Sequence, residues 1–95
     1  MAAYVICHIA IKDPLKWEAY RSHVPETLAP WHAEVVFRGK PFAAFSGAAD
    51  DHGDVVVIRF ANAAAARGWF ESPAYQALIP LREEAAAVTL VAYET

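Results

Sequence analysis

The sequence contains few of the features by which several protein classes are recognised. Its one cysteine, Cys7, cannot form an internal disulfide. It has no run of lysine or arginine, and 8 basic against 11 acidic residues give a formal net charge of −3. Because nucleic-acid binding needs clustered positive charge, we expect no nucleic-acid partner. The apolar run at 2–7, which resumes at 9–11, is too short to span a bilayer, so we expect no membrane association.

Motifs for cofactor binding and for targeting are missing as well. The four glycines lie far apart, which excludes a phosphate-binding loop. None of the four histidines has a second metal-binding side chain at ligand spacing, so we predict no cofactor and no metal site. No basic residue precedes the first apolar run, as a secretory signal requires. We therefore predict a cytoplasmic protein.

The composition is that of a folded protein. Hydrophobic residues make up 57% of the 95 positions and charged residues 20%, which excludes intrinsic disorder. The length predicts a single domain over 1–95. Many of the apolar residues are alanines, which add little bulk to a core. Since a domain of this size buries a limited share of its surface, we expect it to associate with itself.

The first half of the sequence predicts a strand followed by a helix. Residues 4–11 are rich in β-branched side chains and indicate the strand. Asp13-Pro14 then supplies a helix cap and a first helical residue. An apolar stripe recurs at helical spacing, at Trp17, Tyr20, Val24, Leu28 and Trp31. Pro25 lies inside this stripe and is expected to kink or split the helix.

The second half predicts strands at 33–38, 42–47, 54–61 and 88–93. A turn at 39–41 joins the first two as a hairpin, and a loop at 48–53 follows. Asn62 is expected to cap a helix that runs to residue 70, and Ser72-Pro73 to start another that Pro80 kinks. The element order is close to the β-α-β-β-α-β pattern of a ferredoxin-like α+β fold. Helices would cover one sheet face, and the exposed face would pair with a second copy of the chain.

Several stretches together resemble domain-of-unknown-function family 1330 (DUF1330), within the dimeric α+β barrel superfamily. These are Tyr4-Val5-Ile6, Asp13-Pro14, Tyr20-Arg21, Val24-Pro25, Phe37-Arg38-Gly39, residues 55–60, residues 69–76 and Leu81-Arg82. The most specific is Trp-Phe-x-Ser-Pro-x-Tyr-Gln at 69–76. The resemblance spans essentially the whole chain. One departure is Arg59, where members of the family often carry an acidic residue.

The resemblance implies a ferredoxin-like monomer and a homodimer whose two sheets pack face to face as an α/β barrel. It implies no established reaction. Relatives in the wider superfamily include cofactor-free monooxygenases, haem-degrading enzymes and lactone isomerases, and some members have no known catalysis. Because one fold carries many functions, function has to be argued from the site residues.

Strand alternation predicts which polar side chains share a face. It places His8, Glu34, Arg38 and Arg59 opposite the helices, inside a dimeric barrel. One interpretation is a cavity for an anionic or carbonyl ligand, with arginine as the donor and His8 as the acid or base. The other is a set of ion pairs that fixes the dimer.

Further candidate residues lie outside the strands. Trp69 and Tyr75 either form an aromatic mouth to a pocket between helix and sheet, or belong to the core. Arg82 either faces that pocket or pairs with Glu71. His32 is a further candidate for the pocket, or a residue at a helix end. Cys7 shares its face with apolar neighbours and is expected to be an inert thiol, and Trp17 and Tyr20 are expected in the core.

We therefore predict a homodimer that binds a small organic molecule and that acts on it, if it is an enzyme, without a cofactor. Its pocket would be lined by His8, Arg38, Arg59, Trp69, Tyr75, His32 and Arg82. Loss of activity in a folded His8→Ala dimer would support the acid or base role. One alternative is a non-catalytic dimeric module whose sheet interface Val36, Phe45, Val57 and Leu90 fill. A second alternative, binding of haem or a metal, predicts visible absorbance from the purified protein.

Overall fold

Four strands form one antiparallel sheet in the computed structural model, which describes residues 1–47 and 53–95. The elements are β1 (Ala3–Ile11), α1 (Pro14–Leu28), a 3-10 helix (Ala29–Trp31), β2 (Glu34–Gly39), β3 (Asp54–Phe60), α2 (Ala63–Glu71), α3 (Pro73–Gln76), α4 (Ile79–Ala85) and β4 (Ala86–Glu94). The sheet order is β2-β3-β1-β4, with every neighbouring pair antiparallel. This arrangement confirms the predicted ferredoxin-like α+β fold.

Side-chain caps start the helices where the sequence predicts. The Asp13 carboxylate accepts hydrogen bonds from the backbone N–H groups of Leu15 and Lys16, both at 3.1 Å. The Asn62 side-chain oxygen accepts from the Ala65 N–H at 2.8 Å, and Ser72 caps α3. Each cap satisfies backbone donors that the first helical turn leaves open.

The two internal prolines act differently from each other. Helix α1 runs through Pro25 without a split, and a kink there stays a prediction. The turn around Pro25 keeps other hydrogen bonds: Thr27 Oγ1 donates to the Val24 carbonyl at 2.7 Å, and the Ala29 N–H donates to the Pro25 carbonyl. The later helical segment breaks at 77–78 instead, and Pro80 falls in the first turn of α4. A proline costs little there because its missing N–H would have no partner inside the helix.

The predicted hairpin strand at 42–47 is wrong. These residues are not in a strand, and β2 pairs directly with β3. The side chains of Phe42 and Phe45, which follow Pro41, are 88% and 89% exposed. Their rings contact each other at a centroid distance of 5.9 Å. The predicted loop at 48–53, which includes His52, lies outside the described residues except for Gly53.

The helices pack on one face of the sheet. In β1 the side chains of Ala3, Val5, Cys7 and Ile9 are buried, and they join the core that contains Phe60, Trp69 and Tyr75. The expectation that Cys7 shares an inward face with apolar neighbours is therefore confirmed for Val5 and Ile9, whereas Ile11 at the end of the strand is 42% exposed. We call the opposite face the open face. Its strand positions are Tyr4, Ile6, His8, Ala10, Glu34, Phe37, Gly39, Val55, Val57, Arg59, Ala87, Thr89, Val91 and Tyr93.

A β-bulge in β2 changes which side chains point to the helices. Val35 pairs with Ile58, but the next pair joins Phe37 to Val57, so Val36 is an extra residue. After a bulge the alternation of faces shifts by one residue. Phe37 therefore lies on the open face, half exposed, and Arg38 lies on the helix side opposite Val56. The predicted placement of Arg38 on the open face is wrong for this reason.

Candidate functional site

A cavity of about 480 Å³ lies between α1 and the helix side of the sheet. We call it the helix-side pocket. Its described lining is Cys7, Ile9, Trp17, Tyr20, Arg21, Val24, Val35, Arg38, Gly39, Lys40, Asp54, Val55, Val56, Ile58, Trp69, Val88 and Leu90. The cavity is built from a single chain and falls in the size range of pockets for small organic molecules.

Aliphatic and aromatic side chains form most of the pocket wall. The rings of Trp17 and Tyr20 lie 5.1 Å apart on α1, and Val56 and Leu90 face them from the sheet. The indole Nε1 of Trp69 donates to Thr27 Oγ1 at 3.0 Å, which fixes its orientation in the core. A ligand that fills this space must therefore be largely apolar.

Tyr20 lines the pocket, and its hydroxyl belongs to a buried hydrogen-bonded chain. Tyr20 Oη and Tyr75 Oη are 2.8 Å apart, and Arg82 Nη1 donates to Tyr75 Oη at 2.9 Å. Arginine is always a donor, so the Tyr75 oxygen is an acceptor in the second bond. When Tyr75 donates onward to Tyr20, the Tyr20 proton is free to bond a ligand oxygen. All three residues are buried.

Burial also fixes the protonation of the groups near this chain. It raises the pKa of the Tyr20 hydroxyl well above its usual value, and the contact with Tyr75 adds to the effect. It raises the pKa of the Cys7 thiol to about 12, while the charge of Arg82 acts in the opposite direction. Tyr20 is therefore a neutral donor at neutral pH, and Cys7 is a thiol rather than a nucleophilic thiolate, as the sequence predicts.

Four charged residues line the pocket where it meets solvent, and we call them the charged rim. They are Arg21, Arg38, Lys40 and Asp54. Arg21 forms a bidentate ion pair with Glu18 at 2.7 Å, so its charge is already balanced. Arg38 reaches the rim because of the β2 bulge.

Other predicted site residues lie on the open face. Arg59 pairs with Glu34 on the neighbouring strand of the same chain at 3.4 Å, and both side chains are exposed. His8 is partly buried and stands opposite Val55 and Thr89 in the sheet register. A sheet separates these residues from the helix-side pocket.

The residues predicted for one pocket therefore lie in several places. Arg38 and Trp69 line the helix-side pocket, while Tyr75 and Arg82 stand behind Tyr20. Arg82 pairs with Glu83 at 3.1 Å rather than with Glu71. His32 ends the 3-10 helix in a left-handed conformation, with φ of 54°, and its side chain is exposed.

Sequence reasoning placed two pocket-lining residues, Trp17 and Tyr20, in the core alone. Their helical spacing indicates only that they face the sheet. The pattern could have been informative for Tyr20, because a tyrosine in an apolar stripe needs a partner for its hydroxyl. Leu90, predicted for a filled sheet interface, lies on the helix side opposite Cys7 and also lines the pocket.

Two other kinds of feature are absent from the described residues. Over 1–47 and 53–95, no three His, Cys, Asp or Glu side chains come together as a metal site would require. In the same part of the chain, every helix is too short or too polar to cross a membrane. Binding of haem or a metal stays the second alternative, which visible absorbance of the purified protein would test.

Comparisons with known proteins agree with the fold. The sequence profile of the family described as "Domain of unknown function (DUF1330)" matches residues 2–95. No protein with a curated functional description matches the sequence.

Solved structures share the fold at low sequence identity. A protein of unknown function from Rhodopseudomonas palustris, RPA0582, superposes with a TM-score of 0.83 at 15% identity, over 99% of this chain and 82% of that one. A dimeric ferredoxin-like protein of unknown function from Jannaschia sp. CCS1 gives 0.68 at 13%, over 100% of both chains. SnoaB, a cofactor-independent oxygenase from Streptomyces nogalater, gives 0.70 at 9%, over 99% and 92%.

Proposed function

Since this chain belongs to the DUF1330 family, whose description names no activity, we propose a function from its geometry: each protomer binds a small, largely apolar organic molecule in the helix-side pocket. The observation that carries the proposal is the cavity of about 480 Å³ between α1 and the sheet. The mostly apolar wall of this pocket favours an apolar occupant over water.

The Tyr20 hydroxyl sets the chemistry expected of the ligand. Its neighbours in the wall are apolar, so a ligand oxygen beside it gains a hydrogen bond in a region of low dielectric constant. Arg82 polarises this hydroxyl through Tyr75. A carbonyl or hydroxyl group on an aromatic or aliphatic body fits this arrangement.

The proposal includes a homodimer formed through the open face. Val36, Phe37, Val91 and Tyr93 are between 39% and 54% exposed, which leaves an apolar surface on the sheet. Such surfaces favour association with a second copy. Two of the proteins with similar structures are described as dimeric. In this dimer His8, Glu34 and Arg59 would lie between the two sheets.

A second candidate function is catalysis without a cofactor on the molecule in the pocket. The buried chain from Arg82 to Tyr20 favours it, because a fixed donor stabilises an oxyanion that forms at a carbonyl. SnoaB is described as a cofactor-independent oxygenase. The acid or base role of His8 stays a prediction for a ligand held between the sheets, since His8 faces away from the helix-side pocket. A cytoplasmic location also stays a prediction.

Titration with N-phenyl-1-naphthylamine, an uncharged probe that fluoresces in apolar sites, tests the binding proposal. We expect one probe per chain and energy transfer from Trp17 and Trp69. Val56→Phe fills the pocket and should weaken probe binding by about tenfold or more, equal to about 1.4 kcal/mol. Val57→Phe adds the same ring on the open face and should change the probe affinity by less than about twofold. Equal effects of the two variants, or no binding by the wild type, would contradict the proposal.

A further inference from the structure

We propose that the molecule bound in the helix-side pocket carries one anionic group, held at the charged rim by Arg38 and Lys40. This inference rests on the proposed function and specifies its substrate class: a small acid with an apolar aromatic or aliphatic body.

The position of Arg38 is the first observation. Regular alternation from Val35 would point Arg38 to the open face, where Arg59 and Glu34 already form an ion pair. The extra residue Val36 turns Arg38 to the helix side, opposite Val56 in the wall of the pocket. Bulges beside functional sites commonly re-aim a side chain in this way.

The charge balance of the rim is the second observation. Glu18 already neutralises Arg21. Within residues 1–47 and 53–95, neither Arg38 nor Lys40 forms an ion pair. Asp54 supplies the one carboxylate among the described lining residues, against two remaining cations. Among the described residues, the rim therefore has a net positive charge next to an apolar cavity.

The position of Arg38 and the charge of the rim, beside an apolar cavity, together indicate an amphipathic ligand. The guanidinium of Arg38 presents a planar set of donors that matches a carboxylate or another oxyanion, and Lys40 adds a mobile point charge. The ligand body would extend from the rim toward Tyr20 along the apolar wall. A neutral apolar molecule would fill the pocket but would leave Arg38 and Lys40 unused.

Two matched probes separate the anionic group from the apolar body. The probe 8-anilinonaphthalene-1-sulfonate has the ring system of N-phenyl-1-naphthylamine plus one sulfonate. We expect the sulfonate probe to bind the wild type about tenfold more tightly than the uncharged probe at low salt. Raising the salt concentration should remove most of this difference, because rim charges are screened and apolar contacts are not.

Charge-changing variants test whether the preference for the sulfonate probe arises at the charged rim. Arg38→Gln and Lys40→Gln should each weaken binding of the sulfonate probe about three- to tenfold and leave the uncharged probe unchanged. Asp54→Asn should strengthen binding of the sulfonate probe by removing the opposing charge. Arg67→Gln, on the exposed surface of α2, makes the same charge change away from the pocket and should alter neither probe.

The outcomes distinguish this inference from the proposed function. If the wild type binds both probes equally, or if Arg38→Gln and Arg67→Gln act alike, the anionic preference is wrong while pocket binding stands. If neither probe binds, or if Val56→Phe leaves both affinities unchanged, the proposed function fails and this inference with it. Sulfonate binding that Arg38→Gln and Lys40→Gln weaken and Asp54→Asn strengthens supports the anionic ligand.

Discussion

At the scale of single residues, the buried thiol of Cys7 makes stability depend on alkaline pH. An unfolded cysteine ionises near pH 9.0, whereas burial raises the pKa of Cys7 in the folded chain to about 12. Because the folded-state pKa is raised, the contribution of Cys7 to the free energy of unfolding is complete below pH 9 and is lost as the pH rises toward 12. Burial of Tyr20 makes a second contribution to stability, and its loss begins near pH 10, the ordinary pKa of tyrosine.

We predict that the free energy of unfolding falls by roughly 2–2.5 kcal/mol between pH 9 and pH 10.5, most of it through Cys7. In Cys7→Ala the decrease should start about one pH unit later, because only Tyr20 then contributes. Urea unfolding at fixed protein concentration, measured in steps from pH 8, checks this. The same pH profile for wild type and Cys7→Ala would show that the thiol does not act this way.

The hydroxyl chain gives a second prediction for individual residues. Tyr75→Phe removes the acceptor of Arg82 Nη1 and the partner of Tyr20 at once. It should cost about 1–3 kcal/mol, because buried polar groups lose their partners. Tyr20→Phe leaves the bond between Arg82 and Tyr75 intact and should cost only about 0.5–1.5 kcal/mol. Thermal unfolding of both variants ranks them, and a larger loss in Tyr20→Phe would refute the proposed order of bonds.

At the scale of elements, Gly68 allows α2 to approach the 3-10 helix. A Cβ atom at this position would lie 2.6 and 2.7 Å from two atoms of the Trp31 ring, closer than real contacts allow. Trp31 is only partly buried, yet its ring covers this point of α2. The glycine is therefore explained by packing, although it lowers the intrinsic helix propensity of α2.

We predict that Gly68→Ala destabilises the protein by about 1–3 kcal/mol, since the clash outweighs the gain in helix propensity of about 1 kcal/mol. In a Trp31→Ala background the same substitution should become neutral or stabilising. Chemical unfolding of the four variants of this cycle measures the coupling. Additive effects would show that Trp31 is not the obstacle.

The elements also show where sequence reasoning succeeds and fails. The caps at Asp13, Asn62 and Ser72 were predictable because a cap depends on residues within one turn. The bulge at Val36 was not, because an extra residue in a strand is defined by its pairing with β3. The predicted face was therefore correct for Glu34, before the bulge, and reversed for Arg38, after it.

At the scale of the whole molecule, the open face and the pocket lie on opposite sides of one sheet. The element order predicted the fold and an exposed sheet face. The pocket could not be read from the sequence because α1 and all four strands contribute to it. Trp69 and Tyr75 suggested a pocket between helix and sheet, while strand alternation assigned Arg38, which lines this pocket, to the other face.

The proposed dimer gives a prediction at this scale. Phe37→Asp puts a charge on a half-exposed position of the open face, so it should break the dimer without unfolding the chain. Native mass spectrometry should show twice the 10.4 kDa chain mass for the wild type and a single chain for the variant. Leu15→Asp, a similar change at an exposed position of α1, should stay dimeric. A dimer that survives Phe37→Asp would place the interface elsewhere.

Binding in the helix-side pocket is tested most directly by locating a bound probe through NMR of the methyl groups. Val24, Val56 and Leu90 line the helix-side pocket, while Ile6, Val57 and Val91 lie on the open face. On addition of N-phenyl-1-naphthylamine, we expect the methyl signals of the pocket residues to shift and to show contacts to the probe. The methyl signals of the open-face residues should stay in place. Contacts confined to the open-face residues, or to neither group, would contradict binding in the helix-side pocket.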